Sequence, residues 1–353
     1  MVYIKGAGNE SPQNLIQRDC LQHERADRFT QEMRAAFSSI RKIYYLIITV
    51  FGASVNLMAI VILSRGKCGL STCTTRYLVA MAVADLLFII TDFILWQIRY
   101  YYFPGSFLDI TPVCSVTGVL NRVSKDCSVW FTITFCFDRF VAICCQKLKI
   151  KYCTERTAAV VLATICILLC LKNIPFYFAL EPRLIIDNVP WFCYVKTSYF
   201  TEPGWVGLDW VDTTLTSLLP FALILFLNAL AVRYILVARR IRKGLKGQRK
   251  GENRSDPEME NRKKAVILLF TISGSFILLW LTHVIEFLFY VIAGTNPDDN
   301  NDYLYIFQQV AVMLQILRSC TNALIYGVTQ SKFRNQFKST VKYPFALIVK
   351  LMK

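Results

Sequence analysis

Seven stretches of this sequence stay apolar for about 20 residues or more, and this repetition restricts the fold more than any other feature. A helix that crosses a bilayer needs about 20 mostly apolar residues. The stretches run at 43–64, 77–98, 113–144, 157–179, 210–237, 264–293 and 304–327. Hydrophobic residues make up 55% of the chain and charged residues only 18%, unlike the composition of a water-soluble domain. The sequence therefore predicts an all-α membrane protein, a bundle of seven transmembrane helices numbered here as spans one to seven.

The distribution of basic residues predicts how the bundle is oriented. Lys and Arg collect in the connections after spans one, three and five, most densely at 238–264, and in the C-terminal segment. The connection between spans six and seven is acidic instead, with Asp298 and Asp299. Because short cytoplasmic loops carry an excess of Lys and Arg, we expect an extracellular N-terminus and a cytoplasmic C-terminus. Contact with anionic membrane lipids explains the net charge of +16 without any nucleic-acid partner.

The segments outside the bundle are short. Residues 1–40 are expected to form an extracellular N-terminal segment, 41–330 the seven-transmembrane domain, and 331–353 a cytoplasmic helix with a short tail. The first forty residues contain no apolar core of a signal peptide, so span one is expected to act as an uncleaved targeting signal. Asn9-Glu10-Ser11 is a glycosylation sequon on the predicted outer side, which makes Asn9 a candidate for modification.

The 13 cysteines have neither the CxxC nor the Cys/His spacing of a metal site, so the sequence predicts no metal and no cofactor. Most of them lie inside spans and are expected to be small packing residues. Cys114 at the start of span three and Cys193 in the loop after span four differ, because both fall on the predicted oxidising side. A disulfide between them would tie that loop over the mouth of the bundle.

A charged pair, Asp138 and Arg139, interrupts the apolar end of span three. A charge in the embedded part of a helix costs at least about 2.5 kcal/mol, so such residues are functional candidates. A lone Arg near the cytoplasmic end would extend to the interface. The adjacent Asp138 can instead hold the guanidinium in a charge-assisted pair until a competing partner arrives, which is the behaviour of a latch.

These residues resemble a known family. Asp138-Arg139-Phe140 is similar to the Asp-Arg-Tyr signature of rhodopsin-like G-protein-coupled receptors, and Arg139 follows Cys114 by that family's usual 25 residues. "SKFRNQF" at 331–337 has the amphipathic spacing of the family's short eighth helix. Further matches fall in the expected spans: Asn56, Asp85, Pro220, Phe276, Trp280, Asn322 and Tyr326.

The resemblance implies a plasma-membrane receptor that binds an extracellular small molecule or peptide. Outward movement of span six would then activate a heterotrimeric G protein. Asp138, Arg139, Asn322 and Tyr326 would form the coupling switch, and Phe276 and Trp280 the toggle beneath the ligand. "FDRFVAICCQKLK" also resembles the orphan subgroup labelled probable G-protein-coupled receptor 139, which implies an aromatic amino acid or small peptide as ligand and favours a Gq-type partner.

Some positions depart from the family pattern. Ala323 and Thr282 replace the prolines of spans seven and six, so both helices lack a ready-made bend. Asn228 replaces the usual activating Tyr of span five. Arg262 stands where an acid often restrains the latch arginine, which leaves Asp138 as its only predicted restraint.

Polar residues inside the outer half of the bundle mark the candidate ligand site. Asn121, Arg122, Lys125 and Asp126 follow one another on span three, where residues three or four apart share a face. In one interpretation Arg122 and Lys125 bind a ligand carboxylate while Asp126 pairs with one of them. In the other, the group is a self-neutralising structural cluster. The remaining candidate contacts, joined by Asp92, are Trp96, Arg99, His283 and Glu286.

Deeper in the bundle, Asp85 and Ser128 match the residues with which related receptors hold a sodium ion. Arg318 departs from the family because a neutral residue is usual one turn before Asn322. We expect its guanidinium to pair with Asp85, although it would otherwise point sideways toward another helix. Asn56 completes this core polar group.

Other classes of protein fit less well. A retinal protein needs a Lys in span seven, and residues 303–327 contain none. A membrane enzyme is not expected, because the only histidines are His23 and His283 and no nucleophile with its base is evident. A secondary transporter that uses intramembrane charges remains the alternative, but neither an internal repeat nor a pair of broken helices is visible.

Overall fold

A computed structural model describes residues 12–66, 68–98, 102–246, 257–293 and 302–340. The sequon residue Asn9 and the predicted ligand contact Arg99 lie outside these residues, as does the side chain of Arg262.

Within the described residues, seven helices are long and apolar enough to cross a membrane, as predicted. The spans are Glu32–Ser64, Thr72–Gln97, Thr111–Cys144, Glu155–Ala179, Pro203–Ala238, Lys263–Phe289 and Leu304–Thr329. The helix that contains span one runs from Pro12 to Ser64 and crosses residue 40 without a break. Its 53 residues extend about 80 Å, well beyond the roughly 30 Å of a hydrocarbon core.

Several helices begin or end beyond the predicted apolar runs. The helices of spans six and seven are Pro257–Ala293 and Asp302–Thr329, and the α-helix of span five continues to Lys246. Hydroxyl groups cap two of the N-termini, where Ser71 accepts from the backbone N–H of Thr74 and Thr154 from that of Thr157. The expected eighth helix is present at 331–340, where the ring of Phe333 contacts that of Tyr326.

The loop after span four contains a β-hairpin that the sequence analysis did not predict. Strand β1 (Leu180–Ile186) pairs antiparallel with strand β2 (Val189–Val195), with Pro182 opposite Cys193. Asp187 and Asn188 form the two-residue turn with positive φ, a conformation that Asp and Asn tolerate. The Cys114–Cys193 disulfide joins the hairpin to the outer end of span three, as predicted.

Two spans contain π-helical segments. Span two is α-helical from Thr72 to Ile89 and π-helical from Ile90 to Ile98. Span five passes from the α-helix Pro203–Thr213 through the π-helical segment Thr214–Leu218 to an α-helix that begins at Leu219. π-Helical segments are rare in proteins, and those that occur often lie at functional sites. The segment of span two carries Asp92 and Trp96.

Span three lies at the centre of the bundle and packs against spans two, four, five and six. Spans one, two and seven meet closely at Gly52. A Cβ atom there would lie 2.8 Å from Cδ1 of Ile89 and closer still to the sulfur of Cys320. The absent side chain thus permits the close packing that brings Asn56 and Asp85 toward span seven.

Candidate functional site

A cavity of about 400 Å³ opens between the outer halves of spans two, three and four, beneath the hairpin. Phe176, Tyr199 and Phe200 supply aromatic walls, and spans two and three supply polar groups. Tyr199 donates its hydroxyl hydrogen to Asp209. Burial and this hydrogen bond raise the pKa of Tyr199, so that the phenol stays protonated.

Acidic and basic groups face this cavity side by side. Asn121 donates from Nδ2 to Oδ1 of Asp92 at 2.8 Å. Lys125 lies one turn further along the same face of span three and also lines the cavity. It makes no hydrogen bond or ion pair with any described residue, although Asp92, Asp126 and Asp212 lie within electrostatic range of its ammonium. The cavity wall can therefore bind a cationic and an anionic group of one ligand.

The remaining outer charges form a network across spans three, four and five. Arg122 Nη1 contacts Asp212 Oδ2 at 2.9 Å, and its guanidinium lies 4.0 Å from the ring centroid of Phe176. Lys172 at the end of span four bridges Asp212 and Asp126, with 2.7 Å between its Nζ and Asp126 Oδ2. Each of the four charges in this network has an opposite charge beside it, which is how buried charges are tolerated.

The partner expected for Asp126 is wrong. Its carboxylate contacts neither Arg122 nor Lys125 directly. It accepts hydrogen bonds instead from Asn173 at 2.7 Å and from Thr216 at 2.8 Å, besides its ion pair with Lys172. The physical reason is that Asp126 lies on the face of span three that packs against spans four and five, whereas Lys125, one residue earlier, is turned to the cavity.

The residues predicted to contact the ligand do not all line the same cavity. Trp96, Asn121, Arg122 and Lys125 line the cavity. His283 and Glu286 form a pair with 3.2 Å between Nδ1 and Oε2, and the His283 ring meets Trp280 edge-on at 5.7 Å between centroids. Neither of these two residues is among those that line the 400 Å³ cavity in the described part of the chain.

A second polar group lies in the middle of the bundle. Ser128 donates to Oδ1 of Asp85, and Asn322 donates to Oδ2 at 2.8 Å. Nη2 of Arg318 donates to the Ser128 hydroxyl at 2.7 Å and lies 3.8 Å from Oδ1 of Asp85. The alternative that Arg318 points sideways to another helix does not fit this geometry. The side chains of Arg318 and Asp85 are only 2% and 0% exposed.

The predicted toggle aromatics lie against this polar group. Phe276 and Trp280 stack at 5.3 Å between centroids with an interplanar angle of 17°. The guanidinium of Arg318 lies 5.5 Å from the Phe276 centroid and 5.4 Å from the Trp280 centroid, within the range of a cation–π contact. Arg318 thus connects the aromatic pair of span six to the carboxylate of span two.

Span one is fastened to span seven at Asn56, whose Nδ2 donates to the backbone oxygens of Gly52 at 2.9 Å and Ser319 at 2.7 Å. Tyr326 is fully buried, and its hydroxyl has no hydrogen-bond partner among the described residues. Span seven is therefore held at Ser319 by the hydrogen bond from Asn56, and two turns further on by the packing of the Tyr326 ring.

At the end of span three nearest its connection to span four, Nε of Arg139 donates to Oδ2 of Asp138 at 3.0 Å, and Nη2 contacts the same oxygen. Cys73 of span two donates its thiol hydrogen to the other oxygen, Oδ1, at 3.1 Å. Both charged side chains are largely buried. The latch geometry expected from the sequence is present, with a thiol partner that the sequence did not suggest.

A cavity of about 320 Å³ borders this pair and is lined by Arg139, Lys149, Cys153, Lys264 and Gln330 among others. Burial and the neighbouring Asp138 carboxylate raise the pKa of the Cys153 thiol to about 12, so that it remains a thiol at neutral pH. The cavity therefore carries three basic side chains, Arg139, Lys149 and Lys264, among neutral lining residues.

Sequence reasoning missed several residues that the geometry brings to these sites. Lys172, Asp212 and Phe176 complete the outer network, and Ser273 donates to Asn228 at 2.8 Å between spans six and five. A signal existed for Lys172 and Asp212, since both are charges at the ends of apolar runs. Their pairing depends on the rotation of spans four and five, which periodicity alone does not fix.

Comparisons with known proteins agree with the bundle. The sequence model of the family "7 transmembrane receptor (rhodopsin family)" matches residues 55–326. The chain is 26% identical to somatostatin receptor type 5 of Rattus norvegicus over 312 residues, which is 85% of this chain and 77% of the relative. It is 26% identical to neuropeptide receptor 22 of Caenorhabditis elegans over 307 residues, 84% of this chain and 68% of the relative. It is 24% identical to the platelet-activating factor receptor of Cavia porcellus over 265 residues, 73% of this chain and 72% of the relative.

The family match covers most of the chain, from residue 55 within span one to Tyr326 in span seven, and includes the latch pair, the toggle aromatics and the polar group at Asp85. It gives no support to the transporter alternative. The chain belongs to the rhodopsin family of seven-transmembrane receptors, which are signalling receptors of the membrane and not enzymes.

Proposed function

We propose that this receptor, with its N-terminus outside the cell, binds an extracellular aromatic amino acid or small peptide and activates heterotrimeric G proteins of the Gq type. The observation that carries the ligand class is the acid beside the base in one aromatic-lined cavity, Asp92 with Asn121 on one side and Lys125 on the other. A free amino group would bind Asp92, and a carboxylate would bind Lys125. The aromatic group would pack against Phe176 and Tyr199.

Two relatives support a ligand of this kind, since their names describe receptors for somatostatin and for a neuropeptide. The resemblance to the probable G-protein-coupled receptor 139 subgroup supports an aromatic amino acid and a Gq partner. On the cytoplasmic side, Arg139 pairs with Asp138 and lines a cavity that also carries Lys149 and Lys264, which supports coupling. An agonist that prefers the active bundle shifts an existing equilibrium, span six moves outward, and Arg139 becomes available to the G protein.

The ligand class is tested by nucleotide exchange on purified Gq with L-tryptophan, L-phenylalanine and their N-acetyl and amide derivatives as probes. We expect the free amino acids to stimulate exchange. Blocking either ionised end should lower potency by at least about 10-fold, because hydrogen bonds to charged groups contribute about 1.5 to 3 kcal/mol. Equal potency of the blocked derivatives, or activity on other G proteins alone, would contradict the proposal.

Coupling is tested with Arg139→Ala, which should abolish agonist-stimulated exchange and leave surface expression largely intact, because the arginine is needed mainly in the active state, where it leaves Asp138 and meets the G protein. The matched control is Arg76→Ala. Arg76 is also a cytoplasmic arginine in an ion pair, with Glu155, but both side chains are about half exposed (59% and 46%). Exchange should persist in the control, and unchanged exchange in Arg139→Ala would remove the latch from the proposal.

A further inference from the structure

The carboxylate of Asp85 lies in the middle of the membrane bundle with no exposed surface. Both of its oxygens are engaged, Oδ1 by the Ser128 hydroxyl and Oδ2 by the amide of Asn322. These neutral donors satisfy hydrogen bonding but do not neutralise the charge. A buried carboxylate needs a positive partner, and a site of a carboxylate with a hydroxyl and an amide beside it has the oxygen-rich chemistry that suits a small hard cation.

The chain supplies that positive charge itself. The Arg318 guanidinium lies 3.8 Å from Asp85 and is joined to it through the Ser128 hydroxyl, which accepts from Arg318 and donates to Asp85. A second cation at this carboxylate would lie beside the guanidinium and be repelled by its positive charge.

Aromatic rings hold the guanidinium from the other side. Its carbon lies 5.4 to 5.5 Å from the centroids of Trp280 and Phe276. A desolvated guanidinium over such rings is attracted by their quadrupoles. Arg318 is therefore fixed between a carboxylate of span two and a ring pair of span six.

We propose that Arg318 is a tethered counter-ion, which occupies with the receptor's own guanidinium the place beside Asp85 where a free monovalent cation would otherwise bind. The receptor is consequently insensitive to sodium at constant ionic strength. The consequence for ligand affinity rests on the proposed function, whereas the consequence for the stability of the receptor does not.

The test uses the thermal unfolding of the purified full-length receptor, without ligand or G protein, in sodium chloride and in N-methylglucamine chloride at equal ionic strength. The thermal unfolding midpoint of the parent receptor should be the same in the two salts within about 1 °C. Arg318→Asn, which opens the site and leaves Asp85 in place, should gain a sodium-dependent rise of about 3 to 8 °C. Asp85→Asn combined with Arg318→Asn should lose that rise.

Two further variants keep the result interpretable. Arg318→Lys retains a tethered cation and should remain insensitive to sodium. Ser319→Ala, at the neighbouring buried position, should behave like the parent. A sodium-dependent midpoint in the parent receptor overturns the proposal even if Arg318→Asn cannot be purified, and so does an Arg318→Asn receptor that gains no response. Since neither agonist nor nucleotide exchange enters the measurement, failure here is distinct from failure of the proposed function.

Discussion

Charged side chains lie in two regions of this bundle, the outer network around Lys172 and the central pair of Arg318 and Asp85, and the two regions are built differently. In the outer network Lys172 contacts two carboxylates, and Asp212 contacts two cations. The exposure of its side chains runs from 3% for Asp126 to 38% for Arg122. In the centre a single cation faces a single carboxylate, and both are buried.

This difference predicts how each region responds to change. Where a charge has two partners and some access to water, losing one partner leaves the other, and solvent screens what remains. Where a charge has one partner and no water, losing that partner leaves a stranded charge. The outer region can therefore rearrange around a ligand, whereas the central pair can only stay intact or break.

Of the predicted effects on stability, the largest is the difference between replacing an arginine by methionine in the centre and in the outer network. Arg318→Met should lower the free energy of unfolding by about 3 to 5 kcal/mol, because it strands Asp85. Arg122→Met should cost about 1 kcal/mol, because Asp212 keeps Lys172 and the lost charge is exposed. Thermal unfolding in one detergent measures both. Equal losses would show that the two regions are not built differently.

Within the outer network, the more buried of the two acids, Asp126, should contribute more to stability than Asp212. Asp126→Asn removes the charge from a group with three partners on spans four and five, and we expect a loss of about 2 kcal/mol. Asp212→Asn should cost about 1 kcal/mol, because its side chain is more exposed and Lys172 retains Asp126. Unfolding of the two single variants measures the order. A larger loss for Asp212→Asn would mean that Arg122, and not Lys172, organises the network.

The smallest effect on stability is expected at Lys125. Lys125→Met should change the free energy of unfolding by less than about 0.5 kcal/mol, since it removes no ion pair or hydrogen bond with a described residue. Agonist potency should nevertheless fall about 10- to 100-fold, because the ligand carboxylate loses its partner. Lys172→Met is the matched control, in which stability should fall because Asp126 loses its cation. A stability loss at Lys125 as large as at Lys172 would assign Lys125 to the structural network.

The sequence predicted the central region better than the outer one. Arg318 is the only charge in residues 303–327, and Asp85 is the acid of the core polar group, so Asp85 was the expected partner of Arg318, and the structure has the two in contact. In the outer region several acids and bases compete, and the sequence analysis chose the wrong partner for Asp126. The choice depends on how spans three, four and five are rotated and on Lys172, which is 46 residues away in the chain.

The Asp138–Arg139 pair shows the same limit of sequence-based prediction. Asp138 and Arg139 are neighbours in sequence, so their pairing could be predicted locally. Cys73 reaches the second oxygen of Asp138 from 65 residues away. The hairpin after span four and the π-helical segments also escaped prediction, because short strands in a loop and an extra residue per turn leave little trace in hydrophobic periodicity.

The π-helical segment of span two has a consequence for comparison between receptors. A π-helical turn closes its hydrogen bonds over five residues and not four, so every position beyond Ile90 is turned relative to a regular helix. An ungapped alignment with a relative that is α-helical throughout this span would therefore match the inner half, with Asp85, and misalign the outer half. The side chains of Asp92 and Trp96 are rotated about the helix axis relative to the matching positions of such a relative, Trp96 further than Asp92, so ligand contacts transferred by residue number alone would fall on a different face of the helix.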